Sequence, residues 1–145
     1  MKNSLHIRKC VKEDSDAVFR MICLLEGKNT DKTAFEAVFC SNLEKNNIYY
    51  LIAEHEGEPV GFISMHIQFF LHHTGKVAEI VEMFIDKNYR NSGYGEEMLW
   101  HLREIAIDEG CRHLEVSCNI IRERALSFFL NRGMQCTHYK FTERL

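Results

Sequence analysis

At 145 residues the chain is the size of one domain and long enough to bury a real core. Its 46% hydrophobic and 27% charged content is that of an ordinary soluble globular protein, with no run approaching a transmembrane helix and therefore no expected membrane partner. The formal charge of -3, with no Lys or Arg cluster, excludes a protein that holds nucleic acid through its phosphates but not one that binds a small anion locally.

Residues 1–8 lack the apolar core of a signal peptide. Six scattered cysteines with no Cys-x-x-Cys read as free thiols in a reducing cytoplasm. Alternation over Leu5, His6, Ile7 and Arg8 predicts a first strand. Residues 14–25 carry Ala17, Val18, Met21, Ile22 and Leu25 at helical spacing, with Gly27 as the stop signal. A second helix is expected to begin at Thr33, because Thr33 and Glu36 fit a capping box, and to present Phe35, Val38, Phe39 and Leu43 on one face.

From Ile48 the period changes to that of strands. Residues 48–53 and 60–67 predict two strands joined through Glu56, Gly57, Glu58 and Pro59, and residues 77–85 predict another. A helix over 93–110 follows, striped by Met98, Leu99, Leu102, Ile105 and Ala106. A short strand at 114–118, a helix through 125–130 closed by Gly133 and a last strand at 135–141 complete the order β-α-α-β-β-β-α-β-α-β. This is an α/β (α+β) pattern: a mixed, mostly antiparallel sheet flanked by helices, in a single domain over residues 1–145.

The most informative segment is the strand through Glu79, Glu82, Met83, Phe84 and Ile85 that runs into Arg90, Asn91, Ser92, Gly93, Tyr94 and Gly95 at the start of a helix. The first turn of a helix has unpaired N–H groups and the positive end of the dipole. Glycines let the main chain approach a phosphate, and Arg90 adds a permanent charge. The loop is neither a Walker loop, since no Gly-Lys-Ser/Thr follows, nor a dinucleotide fingerprint, since position 98 is Met98.

Arg-x-x-Gly-x-Gly between a strand and an amphipathic helix resembles the cofactor motif of the GNAT superfamily of N-acetyltransferases. Other features resemble that family in order: the Ile7-Arg8 strand, the helix near Asp14, the hairpin at Gly57, Asn119 after the fifth strand, Ala125-x-x-Phe128-Phe129 and Gly133-Met134. The stretch from His66 through His72 and His73, then Glu79-Ile80, and the ending His138-Tyr139-Lys140-Phe141-Thr142 resemble the bacterial aminoalkylphosphonate N-acetyltransferases.

The resemblance implies acetyl-CoA as cosubstrate, with its pyrophosphate on Arg90 to Gly95, and a small primary amine as acceptor. It implies Glu79 as the base that deprotonates the amine. Glu82, three residues on, lies on the opposite face of an ideal strand and is the second candidate; a bulge would change which of the two faces the cleft. Main-chain groups of Met83, Phe84 and Ile85 are implied as the grip on the acetyl and pantetheine parts, with Asn119 and Phe128 on the cofactor side. Many relatives place a tyrosine at Phe129 to protonate the departing thiolate, and phenylalanine cannot do so.

His66, His72 and His73 are candidate substrate residues. They could bind a phosphonate, hold a divalent metal with Glu79 or cap a strand end, and two adjacent strand histidines point apart unless the strand has ended. His6, His55, His101, His113 and His138 carry no spacing signal and read as surface residues. Two rival functions stand beside the aminoalkylphosphonate reading. One is acetylation of another amine, such as a polyamine, an amino acid or a peptide N-terminus; the other is a non-catalytic acyl-CoA-binding module. Relatives are often dimers, so a homodimer is an expected state.

Overall fold

A computed structural model describes residues 4–145. Met1, Lys2 and Asn3, part of the stretch read for a signal peptide, lie outside the described residues. The chain forms two compact units, one ending at Glu115 and one spanning Val116–Leu145.

The first unit is built on a sheet of order β1-β2-β3-β4-β5. Strands β1 (Leu5–Lys9), β2 (Ile48–His55), β3 (Glu58–Phe70) and β4 (Gly75–Ile85) form an antiparallel meander, and β5 (His113–Val116) joins its edge after a helical crossover. Helices α1 (Ser15–Glu26) and α2 (Lys32–Leu43) lie between β1 and β2 in sequence, and α3 (Tyr94–Asp108) makes the crossover from β4 to β5. In the second unit α4 (Glu123–Asn131) is the one helix among the described residues.

Local chemistry explains most of these boundaries. Gly27 ends α1 in the left-handed region at φ 71°, where a side chain would be strained. The β2–β3 turn is the two-residue pair Glu56-Gly57, both at positive φ (51° and 83°), the geometry that matches strand twist in a tight hairpin. The turn is thus shorter than the expected Glu56 to Pro59. Pro59 falls inside β3 opposite Glu54, where the register shifts and a missing N–H is tolerated. Helix α2 starts one residue before Thr33, and its cap is Asp31, whose carboxylate accepts the Ala34 N–H at 2.8 Å.

The two sheet faces bury different helices. On one face Val18 and Met21 of α1 and Phe39 of α2 meet Ile52, Phe62 and Phe84 in a single apolar cluster. Phe35 and Phe39 stack at 5.8 Å, and Phe39 stacks on Tyr50 at 5.5 Å. Val38, expected on this face, is 58% exposed, because the aromatic pair one turn apart already defines the buried stripe. On the other face a Cβ on Gly61 would come within 2.9 Å of Met98 Sδ, so this glycine lets α3 sit close to β3.

The expected last strand at 135–141 does not form. A strand needs a neighbour to satisfy its N–H and C=O groups. Within the unit Val116–Leu145 no strand is available for pairing beyond the last residue of β5, and Tyr139 and Phe141 stand over 90% exposed.

Candidate active site

The pairing of β3 with β4 decides where the two candidate carboxylates point. Ile63 lies opposite Met83, but Met65 lies opposite Ile80. One β3 residue, Ser64, therefore faces two β4 residues, Val81 and Glu82. This is a bulge, and its extra residue reverses the alternation of side chains along β4. Glu82 is thereby brought to the same face as Glu79, not the opposite one expected of an ideal strand. Val81, the extra residue, is 43% exposed.

That shared face is the one covered by α1 and α2, and cross-strand neighbours arrange it in rows. Ile52, Phe62 and Phe84 make an apolar row inside the core. The next row is Tyr50 opposite Ser64, with Glu82 at the bulge. The third is Ile48 opposite His66, which is opposite Glu79. The sheet thus passes from buried hydrocarbon to a polar strip holding Tyr50, Ser64, Glu82, His66 and Glu79 within a few strand spacings of about 4.8 Å.

Hydrogen bonds tie part of this strip down. Fully buried Ser64 accepts the Glu82 N–H at 2.9 Å and donates its hydroxyl to the Glu82 carboxylate. The Tyr50 hydroxyl accepts from the Asn42 amide at 2.7 Å. Burial raises the pKa of Tyr50 and the charge of Glu82 adds to that, so this phenol stays protonated at neutral pH. Ser64, Tyr50 and Asn42 carried no signal in the sequence: each is an ordinary polar residue until the register of three strands and α2 brings it to the carboxylates.

The glycine loop follows directly from β4. Asp86 caps the short turn Lys87–Tyr89 by accepting the Asn88 N–H at 2.9 Å, and Arg90 Nε donates to the Ile85 carbonyl at 2.9 Å. Ser92 donates to the Tyr89 carbonyl, Asn91 sits at φ 61° and Gly93 at φ 86°. Gly93 is the N-cap of α3 and has no side chain to bond the first turn. The N–H groups of that turn and the helix dipole are the available anion site, with exposed Arg90 beside it. Tyr94 is buried and its hydroxyl bonds His55 Nδ1 at 2.6 Å, so within this loop only its backbone can face a ligand. His55, read as a surface residue, is half-buried and anchors the helix start.

Strand β5 has four residues against eleven in β4, and the Arg112 N–H bonds the Lys76 carbonyl at 2.8 Å, so β5 begins beside the start of β4. Met83, Phe84 and Ile85 lie farther along, past the reach of that short strand. Phe84 itself is buried in the core, which leaves main-chain groups as the chemistry this stretch can offer.

The histidines separate. His66 shares the row of Glu79. His72 and His73 lie past the end of β3, in the turn before β4, with rings 4.2 Å apart. There the His73 ring lies 4.3 Å from that of His113, tilted by 50°, and bonds Glu115 at 3.0 Å. This turn is at least four residues from Glu79, roughly 13 Å along β4, too far to share a few-atom substrate. No group of three or more His, Cys, Asp or Glu among the described residues is arranged to hold a metal ion. The donor set does not fit one.

In the second unit, Asn119 shapes a turn. Its side-chain oxygen accepts the Ile121 N–H at 3.1 Å and its carbonyl accepts the Arg122 N–H at 2.9 Å. Phe128 lies under the Arg132 guanidinium at 3.8 Å and edge-on to Phe129, which is buried. A cavity of about 580 Å³ along α1, lined by Phe19, Cys23 and Leu24 among others, contains none of the strip residues.

Comparison with known proteins adds an independent line. The model of the acetyltransferase (GNAT) family matches residues 15–134. The chain is 37% identical over 139 residues to the aminoalkylphosphonate N-acetyltransferase of Salmonella typhimurium, covering 96% of this chain and 90% of that one. It is 25% identical over 137 residues to an uncharacterized N-acetyltransferase of Archaeoglobus fulgidus, covering 90% and 93%. Among solved structures, a transcriptional regulator from Bacillus halodurans superposes with a TM-score of 0.90 at 19% identity, covering 97% of this chain and 99% of that one. An aminoglycoside N-acetyltransferase in complex with CoA superposes with a TM-score of 0.86 at 16% identity, covering 97% and 94%. Likenesses at such identities speak for the fold alone.

Proposed function

The chain belongs to the GNAT acetyltransferase family, and on that premise we propose that it transfers the acetyl group of acetyl-CoA to the primary amine of an aminoalkylphosphonate, with Glu79 as base. The bulge opposite Ser64 is the observation that carries the chemistry. It gathers Glu79 and Glu82 on one face beside His66, on the strand that runs straight into the glycine loop. The acceptor class draws on the Salmonella enzyme, the acceptor named for a relative that matches nearly the whole chain.

An alkylamine of pKa roughly 10 is neutral in only about one molecule in a thousand at pH 7. Two carboxylates on one face attract the ammonium form, and Glu79 takes one proton from it to give the neutral amine that attacks. The new C–N bond forms as the thioester carbonyl becomes an oxyanion, which main-chain N–H groups of the Met83–Phe84–Ile85 stretch would stabilise. Collapse breaks the C–S bond. The thiolate leaves without a tyrosine at Phe129, and the second proton of the nitrogen, acidic once the C–N bond has formed, reaches the sulfur through water, which a thiol of pKa about 8.5 permits.

In this reading the pyrophosphate rests on Arg90, Asn91, Ser92, Gly93, Tyr94 and Gly95 through backbone N–H groups. Asn119 and Phe128 are the residues the family resemblance offers for the pantetheine side, and residues 1–145 are read as one acetyltransferase domain. Six free cysteines support a reducing cytoplasm, and among the described residues no helix is long and apolar enough to cross a membrane. Trp100 and Ile107, seven residues apart on α3 and both over half exposed, support a homodimer through that helix.

The test is thiol release with aminomethyl- and aminoethylphosphonate against plain alkylamines, in the wild type and in Glu79→Gln. The expected result is a preference for the phosphonates and a loss of about 100-fold or more in kcat with acetyl-CoA binding intact. Equal rates for plain alkylamines would remove the acceptor assignment, and full activity in Glu79→Gln would remove the base.

A further inference from the structure

Ser64 is one of two buried polar residues among those described, and it interrupts an otherwise apolar run from Val60 to Met65 in β3. A methyl group would fill the same space without the cost of burying a hydroxyl, so the hydroxyl needs a reason. Both of its hydrogen-bonding roles go to one residue. The Ser64 oxygen accepts the Glu82 N–H at 2.9 Å, a group that the bulge removes from the regular ladder, and its proton goes to the Glu82 carboxylate. The first bond holds Glu82 at the bulge in β4, and the second fixes the direction of its carboxylate.

We propose that Ser64 is a positioning residue of the acyl transfer, holding the Glu82 carboxylate on the acceptor face as the second anionic group that receives the substrate ammonium. The inference rests on the acetyltransferase reading above and adds a division of labour. Glu79 takes the proton, and Glu82, aimed by Ser64 from the neighbouring strand, binds and orients the amine. The geometry suits that split: one Glu82 oxygen accepts from Ser64, whereas Glu79 sits in the outer row beside His66. Tyr50, opposite Ser64 on β2 and held by Asn42, closes the buried end of the same row. An ammonium approaching Glu82 therefore meets a carboxylate that has already lost its rotational freedom, and preorganisation of this kind appears in the affinity for the amine.

The measurement is steady-state kinetics with each substrate varied, on Ser64→Ala, Ser64→Thr, Glu82→Gln, the double variant Ser64→Ala/Glu82→Gln and Glu79→Gln. Ser64→Ala is expected to lower kcat/KM for the amine about tenfold or more, mainly through KM, with KM for acetyl-CoA changed less than about twofold. Ser64→Thr keeps the hydroxyl and should recover most of the loss. Adding Ser64→Ala to Glu82→Gln should cost less than about twofold more, because Ser64 acts through Glu82.

A Ser64→Ala loss that multiplies with that of Glu82→Gln, or that appears equally in KM for acetyl-CoA, would overturn the assignment in favour of a purely structural bulge. Wild-type activity in Glu82→Gln with Glu79→Gln inactive would overturn it while leaving the acyl-transfer reading in place. Should Ser64→Ala unfold, Ser64→Cys preserves volume with a weaker donor, and the same comparison in the Glu82→Gln background decides the outcome.

Discussion

Replacing Gly93 by alanine separates the proposed anion-binding role of the glycine loop from its role in the fold, because the hairpin contains a matched control. Gly93 sits at φ 86° and Gly57 at φ 83°, and a Cβ built at either position meets nothing within 4 Å. Neither substitution creates a clash, so the cost of each is backbone strain, about 1–2 kcal/mol for an L residue in the left-handed region. For a chain of this size that lowers Tm by roughly 3–8 °C, similarly in the two variants.

Their effect on acetyl-CoA should differ. Gly57 lies in the β2–β3 turn, whereas Gly93 caps α3 and sets the direction of its first N–H groups. Relaxing the strain at Gly93 rotates those donors. A loss of one or two charge-assisted hydrogen bonds to a pyrophosphate raises Kd about tenfold or more. Isothermal titration with CoA, alongside thermal unfolding of both variants, reads the two effects separately. Equal loss of stability with unchanged Kd in Gly93→Ala would refute the placement of the pyrophosphate on this loop.

The ion-pair cluster at the start of the fold predicts an acid limit. Asp14 accepts two bonds at 2.8 Å from Arg8, which also bonds Glu54 at 2.7 Å, and the Arg8 guanidinium holds both carboxyls below their ordinary range. A lowered folded-state pKa means that this stability is present above the unfolded value near pH 4 and is lost as pH falls below it. Asp14→Asn is expected to be less stable by about 1–3 kcal/mol at pH 7 and to show a flatter decline below about pH 4, read by urea unfolding at several pH values. A parallel pH dependence in the variant and the wild type would refute it. Phe129→Tyr is expected to raise kcat by supplying a proton to the leaving thiolate, with the gain largest where that step limits; an unchanged rate across the pH profile would discard the idea.

What the sequence by itself determined is local. Gly27 at a helix end, Gly57 in a hairpin and Gly93 before a helix are each required by the backbone angle of one residue, and the order of elements follows from periods that a short window contains. The proposed anion loop could be read as a candidate for the same reason, since its glycines, its arginine and its following helix are neighbours in the chain. Tertiary structure decided what depends on pairing. The bulge at Val81 and Glu82 exists only because Ser64 faces two residues, and a single extra residue reverses the face of every later side chain. The same holds for Tyr50 and Asn42 beside the carboxylates, for His73 against His113, for Asp31 outcompeting Thr33 as a cap, and for 135–141, whose alternation forms no strand without a neighbour. Glu79 and Glu82 could be named as candidates from the chain alone; that they share a face is a property of the register between two strands.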